Sequence, residues 1–316
     1  MIETPTLSQI QRARQRITPC VKRTQLWSSA ALSEHLRTNV YVKVEVLQKT
    51  GSFKVRGAFN KILTLKPEER CRGVVAVSGG NHAQAVAYAA RVLGLRSVVL
   101  MPEFTPRNYV DATRGYGADI LFAPDVRTAF DRVAEHEREG WAFIHPFDDL
   151  DVIAGQGTIG LEILEDAPQV TDIIASIGGG GLIGGIAAAV KALKPSVRIW
   201  GVETEGADCM SKSLAAGKIV TMEAITSIAR TLGAPAPSQR TLFMAQQMLE
   251  SVTVVSDTEA LAALRFLLER LKILTEPAAS CTLAAADRLQ ERFGPGSHVV
   301  LVLCGGNMPT DDLARI

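Results

Sequence analysis

Aromatic side chains make up only 5% of this 316-residue chain, which argues against the stacking platforms that bind single-stranded nucleic acid. An excess of either charge is missing too. Lys and Arg number 34 against 33 Asp and Glu, a formal net charge of +1, so no global field draws the chain to nucleic acid or an anionic membrane. The five cysteines, Cys20, Cys71, Cys209, Cys281 and Cys304, form no C-x-x-C pair. That removes the usual zinc and dithiol-exchange spacings and fits a reducing cytoplasm. The N-terminal segment carries charges where a signal peptide needs an apolar stretch, and Leu7, Ile10 and Ile17 suit an amphipathic helix instead. There is no repeat of fixed period and no low-complexity tract, so solenoids and propellers are excluded. One stretch, residues 173–190, runs 18 residues without a charge, close to the ~20 that a membrane helix needs. Six of those residues are glycine, so it reads as strand, glycine turn and helix.

What is present is an ordinary folded balance, 47% hydrophobic and 21% charged, in a length that suits two domains with one interrupted, or one large α/β unit. Short β-branched runs at 74–77, 97–100 and 120–122 alternate with helical stretches at 81–93 and 107–116. The rhythm resumes with strands at 172–175 and 197–202, a helix at 182–193 between them, and a last strand at 298–303. Such βαβ alternation predicts a parallel sheet buried on both faces. Residues 219–240 carry Gly233, Pro235 and Pro237 without a clear period and read as irregular surface, ahead of a long helix at 257–272.

Four strings can carry chemistry. Gly178, Gly179, Gly180 and Gly181 follow a strand and open a helix; glycine lets the backbone approach an anion, and the N–H groups of a helix start favour phosphate. Residues 179–184 also satisfy G-x-G-x-x-G, with Glu203 ending the next strand, so this string taken alone fits a dinucleotide site as well as a tight packing turn. In the second string, residues 49–60, Ser52 is placed to cap a helix with Lys54 in its first turn. Lys54 and Arg56 taken alone fit a solvated basic face. A lysine held beside apolar Phe53 and a helix N-terminus has another use, because its pKa falls and it becomes a nucleophile towards an aldehyde. The third string, Ser78-Gly79-Gly80-Asn81-His82-Ala83-Gln84, ends a strand and starts a helix. Its N–H groups can hold a carboxylate and the Asn81 amide can donate to a phenolic or carbonyl oxygen. His82 reads first as a side chain bonded to backbone and second as a catalytic base. The fourth, Leu303-Cys304-Gly305-Gly306-Asn307, puts Cys304 at a strand end where ligands sit in open α/β sheets, or makes it a buried structural thiol.

In this order and over nearly the whole chain, the four strings resemble the pyridoxal-phosphate enzymes of the tryptophan-synthase-β type (fold type II), and within them the threonine/serine dehydratase and serine racemase family. Gln156-Gly157-Thr158 and Glu276-Pro277 are similar to further family positions. The resemblance implies an α/β fold of parallel sheets flanked by helices. A small domain, residues 73–147, is expected as an insertion in a large cofactor-binding domain, residues 1–72 and 148–316. It implies that Lys54 forms the Schiff base with pyridoxal 5'-phosphate and removes the substrate's α-proton, that Phe53 packs on the cofactor ring, and that Asn81 bonds the phenolic oxygen. Gly178 to Gly181 would cradle the phosphate, Cys304 would face the pyridine nitrogen, Glu276 would belong to the cofactor site, and Ser78, Gly79, Gly80, Asn81 and His82 would hold the substrate carboxylate. A neutral Cys304 suits prompt β-elimination better than a long-lived carbanion. These roles displace a dinucleotide, since a dehydrogenase leaves Lys54, Asn81 and Cys304 without work.

Three departures refine the expectation. The racemase pattern S-S-G-N-H reads Ser78-Gly79-Gly80-Asn81-His82 here, so the hydroxyl used on the second face is missing at Gly79. Glu203 and Asp208 are candidates for the divalent-cation site of some relatives, but the acidic turn is one residue short, and no metal is assigned. The segment S-I-A-R-T-L-G-A-P, residues 227–235, is similar to a branch acting on bulkier substrates such as phenylserine. After Asn307 no room is left for a regulatory domain. The expectation is a cytoplasmic homo-oligomer, a dimer by resemblance, that deaminates a 3-hydroxy L-amino acid. The alternatives are a racemase or β-replacement synthase on the same cofactor, or, from other classes, a nicotinamide dehydrogenase or a silent binding module.

Overall fold

The computed structural model describes residues 2–315. A six-stranded sheet has the order β1 (Leu26–Ser28), β2 (Asn39–Lys43), β10 (His298–Val302), β7 (Asp172–Ser176), β8 (Arg198–Thr204) and β9 (Ser251–Val255). Its neighbours are parallel, except that β1 runs antiparallel to β2. A second, wholly parallel sheet has the order β5 (Asp119–Ala123), β4 (Ser97–Pro102), β3 (Val74–Val77) and β6 (Ala142–Phe143). The α/β class and the parallel pairing follow the expected rhythm, divided between two sheets.

The small sheet shows why its strands read as continuous apolar runs. Side chains alternate between faces, so Val98 and Leu100 of β4 pack with Ala129 and Val133 of α6 (Val126–Arg138). Val99 and Met101 turn the other way onto Ala83 and Ala87 of α4 (Asn81–Val92) and Val110 of α5 (Arg107–Gly115). Each fully buried aliphatic side chain of this kind contributes roughly 1.5–3 kcal/mol. In the large sheet Val299 and Leu301 of β10 join one apolar cluster and Val300 and Val302 the other. The helices associated with it are α2 (Ala30–Leu36), α7 (Leu150–Asp166), α8 (Gly181–Leu193), α9 (Cys209–Ala216), α10 (Gln239–Met248), α11 (Asp257–Leu271) and α12 (Pro277–Arg288). The charge-free window is β7, the glycine turn and α8. No helix among the described residues is long and apolar enough to cross a membrane. The amphipathic N-terminal segment is α1 (Leu7–Ile17), opened by a Thr6–Gln9 capping box and burying Ile10, Ala13 and Ile17. Residues 219–238 hold only a short 3-10 turn, Arg230–Leu232.

Helix α3 (Lys54–Thr64) is seated by charge. Arg56 Nε and Nη2 donate to the two oxygens of Glu45 at 2.9 and 2.8 Å, and Nη1 and Nη2 donate to those of Glu162 at 2.7 and 2.9 Å. Lys43 Nζ donates to Glu162 at 2.5 Å and to the Thr24 carbonyl at 2.6 Å. All four charged groups are buried. The guanidinium between two carboxylates holds its proton more firmly than usual, and Glu45 is held below the ordinary carboxylate range by Arg56 and Lys43 against its burial. The solvated basic face expected of Lys54 and Arg56 is therefore corrected. Arg56 is fully buried and Lys54 half-buried, because two long-range glutamates compensate the guanidinium that sequence alone leaves unpaired.

Candidate active site

The second and fourth strings are joined by a short backbone bridge between Ser52 and Gly305, with Phe53 N–H donating to the Cys304 carbonyl at 3.0 Å. Ser52 belongs to that bridge and does not cap α3. The N-cap is Phe53, without a side-chain bond, and Ser52 Oγ is buried without a partner. The bridge puts Lys54 and Cys304 on one cleft, lined also by Phe53, Asn81, the four glycines and Glu276.

Lys54 Nζ donates to the Pro146 carbonyl at 2.7 Å and sits 5.2 Å from the centre of the Phe53 ring. Burial lowers its pKa to about 8, against the pull of Glu276. That is an amine substantially neutral at mildly alkaline pH. Cys304 is the opposite case, with burial and then Glu276 pushing its thiol up to about 12. It is neutral and lies 3.3 Å from Ser176 Oγ.

The glycine run turns from β7 into α8 with Gly180 at φ +93°, in the left-handed region that disfavours side chains. A Cβ at Gly179 would lie 2.2 Å from carbons of the Phe147 ring. Phe147 thus covers the loop so closely that only glycine fits, leaving uncapped N–H groups at the start of α8. Such a helix start, at the end of β7, can hold an anion, and it lines the cleft that holds the amine.

Asn81, the first residue of α4, donates through Nδ2 to Glu276 Oε1 at 2.7 Å and accepts from Asn307 Nδ2 at 2.8 Å. Thr231 Oγ1 donates to the same Glu276 oxygen at 2.9 Å, and Glu276 Oε2 is buried without a partner. Burial raises Glu276 to about 7, although bonds from Thr231 and Asn81 oppose this. His82 takes its first reading. Nε2 donates to the Ile144 carbonyl at 2.8 Å, and burial pushes its pKa down to about 3.

Glu203, weighed for a dinucleotide or a cation and assigned to neither, is used inside the fold. Glu203 lies on β8 with its carboxylate accepting from the N–H groups of Met210 and Ser211 at 2.9 and 2.7 Å, at the start of α9. It is fully buried, so it does not reach a ribose hydroxyl as a dinucleotide site requires, and Asp208 pairs with Lys212 at 2.9 Å. No group of three or more metal-ligating side chains occurs among the described residues. Gln156 and Thr158 pack α7 against α3. A Cβ at Gly57 would meet Gln156 Nε2 at 2.4 Å, and Thr158 Oγ1 accepts from Arg56 at 3.1 Å. Sequence reasoning missed Phe147, Ser176 and Thr231. Thr231 falls within the segment read as irregular, where its threonine gives no periodic signal.

A family model described as pyridoxal-phosphate dependent enzyme matches residues 17–305. The L-threonine ammonia-lyase of Thermotoga maritima is 40% identical over 98% of this chain and 78% of its own length. Among solved structures, maize serine racemase superposes with a TM-score of 0.94 at 35% identity, covering 99% of this chain and 97% of that one. A threonine deaminase from T.th. gives 0.91 at 39%, covering 96% and 99%. With a half-buried lysine of lowered basicity and an uncapped glycine helix start on one cleft, and with relatives of this identity over nearly its full length, the chain belongs to the family of pyridoxal-phosphate dependent enzymes.

Proposed function

We propose that the protein is an ammonia-lyase converting a 3-hydroxy L-amino acid, such as threonine, serine or phenylserine, to a 2-oxo acid and ammonia by α,β-elimination. The observation that carries this reading is the shared cleft of Lys54 and the four-glycine helix start. The residues present fit pyridoxal 5'-phosphate. The uncapped glycine helix start suits its phosphate, Phe53 its ring face, Asn81 its phenolic oxygen and the neutral Cys304 its ring nitrogen, with Glu276 beside them. When bound, the cofactor supplies an aldehyde for an amine and a ring that draws electrons from the substrate's α-carbon. Lys54, neutral near pH 8, takes the α-proton on its own face of the substrate. The N–H groups of the 78–82 turn that the fold leaves without a partner, at an α4 start without a side-chain cap, hold the carboxylate.

The same reading takes residues 73–147 as a small domain inserted in a large one, 1–72 with 148–316. In support, every strand of the small sheet falls inside that insertion and every strand of the large sheet outside it. It further takes the enzyme as a cytoplasmic homo-oligomer, which its five free cysteines suit. The test is a substrate panel with the cofactor-loaded protein. Release of 2-oxo acid from L-threonine, L-serine or L-threo-phenylserine, with visible absorbance that borohydride abolishes, is expected. Absence of 2-oxo acid from all three, or D-serine matching pyruvate in amount, would overturn the proposal.

A further inference from the structure

Position 79 has no side chain, yet the space beside it holds a hydroxyl. An ideal Cβ built on Gly79 lies 2.5 Å from Thr105 Oγ1 and 3.5 Å from Thr105 Cβ and Cγ2. Oxygen is therefore the foremost atom of Thr105 towards the glycine turn. The two residues meet because β3 and β4 are parallel neighbours and both loops leave at the same end of the sheet. Ser78 N–H still donates to the Leu100 carbonyl at 3.1 Å, and Thr105 N–H closes a turn onto the Pro102 carbonyl at 3.0 Å. The C-terminal end of parallel strands is where open α/β sheets bind ligands.

Thr105 Oγ1 is buried and has no hydrogen-bond partner. The neighbouring hydroxyl is oriented by the turn itself, since Ser78 Oγ accepts from Gly80 N–H at 3.0 Å, whereas nothing in the fold orients the Thr105 hydroxyl. A buried hydroxyl left unpaired is costly and uncommon in folded proteins. The α4 N-terminus beside it is also without a side-chain cap, its N-cap being Gly80. Unused donors on two adjoining loops complement a group that only accepts, and a carboxylate is such a group.

We propose that Thr105 Oγ1 donates a hydrogen bond to the α-carboxylate of the amino acid substrate, making Thr105 a substrate-binding residue delivered from the β4–α5 loop to the turn where Gly79 leaves room for it. The inference rests on the ammonia-lyase reading of the site. The experiment compares cofactor-loaded wild type, Thr105→Val and Thr105→Ser. Thr105→Val keeps the shape and removes the donor. Its KM rises at least about tenfold, the loss expected of a charge-assisted bond, while kcat changes far less. The dissociation constant of L-alanine, which carries the carboxylate but no leaving group, rises in parallel when read from the cofactor's absorbance change. Thr105→Ser restores both. The cofactor-free Thr105→Val protein melts no lower than wild type, because the hydroxyl has no internal partner to lose. Unchanged KM and alanine affinity in Thr105→Val would overturn the proposal. So would a fall in kcat at constant KM, or a lower melting temperature, which would make the hydroxyl a proton-transfer or a structural group. Failure of the ammonia-lyase reading appears separately, as a wild type that releases no 2-oxo acid.

Discussion

Asn81 Nδ2 and Glu276 Oε1, 2.7 Å apart, tie the first residue of α4 to the residue that precedes α12. The bond links a helix on the small sheet to a helix on the large one across the cleft that holds Lys54. It also fixes which oxygen of Glu276 is used. Thr231 donates to the same atom, so the other oxygen stays unpaired in a buried site. A carboxyl that keeps a proton on that second oxygen avoids a buried charge, which is why burial lifts its pKa to about 7.

That shift has a signed consequence for stability. Between the ordinary 4.5 and about 7, the folded protein retains the Glu276 proton and the unfolded chain has lost it. Folding then binds more protons, so stability falls as pH rises through this window. Glu276→Gln keeps an acceptor for Asn81 and Thr231 but cannot ionise. The variant is expected to gain about 2–3 kcal/mol relative to wild type between pH 5 and pH 8. Urea unfolding of the cofactor-free proteins at both pH values measures it, and equal differences at the two would contradict the assignment.

Lys54 gives a prediction of opposite sign. Its pKa is lowered from 10.5 to about 8, so the nucleophilic neutral amine accumulates at lower pH than in a free lysine. Capture of pyridoxal 5'-phosphate by the cofactor-free protein should accelerate with pH up to about 8 and then level off. Lys54→Ala should lose at least about a thousandfold in turnover, since anchor and base go together. Circular dichroism and melting should change little, because the side chain makes a single bond, to the Pro146 carbonyl. Steady elimination by the variant would remove Lys54 from the mechanism.

The parts of the site legible in the sequence are those whose signals are local. A strand, a glycine run and a helix start stand side by side at 172–193, and Lys54 stands next to Phe53. Glu162 lies 106 residues from Arg56, and Thr231 lies 45 residues before Glu276. Packing of α7 on α3, and of the Arg230–Leu232 turn on α12, brings such partners together. Ser52 misled for the same reason. Its cap pattern is sound locally, but Ser52 is taken up in a bridge to Gly305 and the N-cap falls on Phe53. Glu203 satisfied a dinucleotide spacing while serving the start of α9 seven residues on.

The buried cluster around Arg56 should fail asymmetrically. Arg56→Met leaves Glu45 and Glu162 buried without their main partner, at a cost of ~3–5 kcal/mol. Arg56→Lys keeps the charge but loses the paired donors that engage both carboxylates, so it should also destabilise, by less. Denaturant unfolding reads both. A loss below ~1 kcal/mol for Arg56→Met would mean that the cluster does not seat α3.

The last prediction concerns racemisation, which the 0.94 TM-score to maize serine racemase makes worth measuring. Inversion requires a proton returned on the face opposite Lys54 by a donor within ~2.6–3.2 Å. Gly79 has no side chain, and the Thr105 hydroxyl beside it is taken up by the carboxylate, so wild type should give 2-oxo acid with little D-amino acid. Gly79→Ser alone is a poor test, because its Cβ would lie 2.5 Å from Thr105 Oγ1 and one of the two must move. Thr105→Ala opens that space. The combination of Gly79→Ser with Thr105→Ala should raise the D-serine formed per pyruvate by about an order of magnitude or more, while its KM for L-serine stays above that of wild type because the Thr105 donor is gone. Chiral chromatography beside a 2-oxo acid assay decides the matter. An unchanged D-serine fraction in the double variant would show that the missing hydroxyl at position 79 does not set the balance between elimination and inversion.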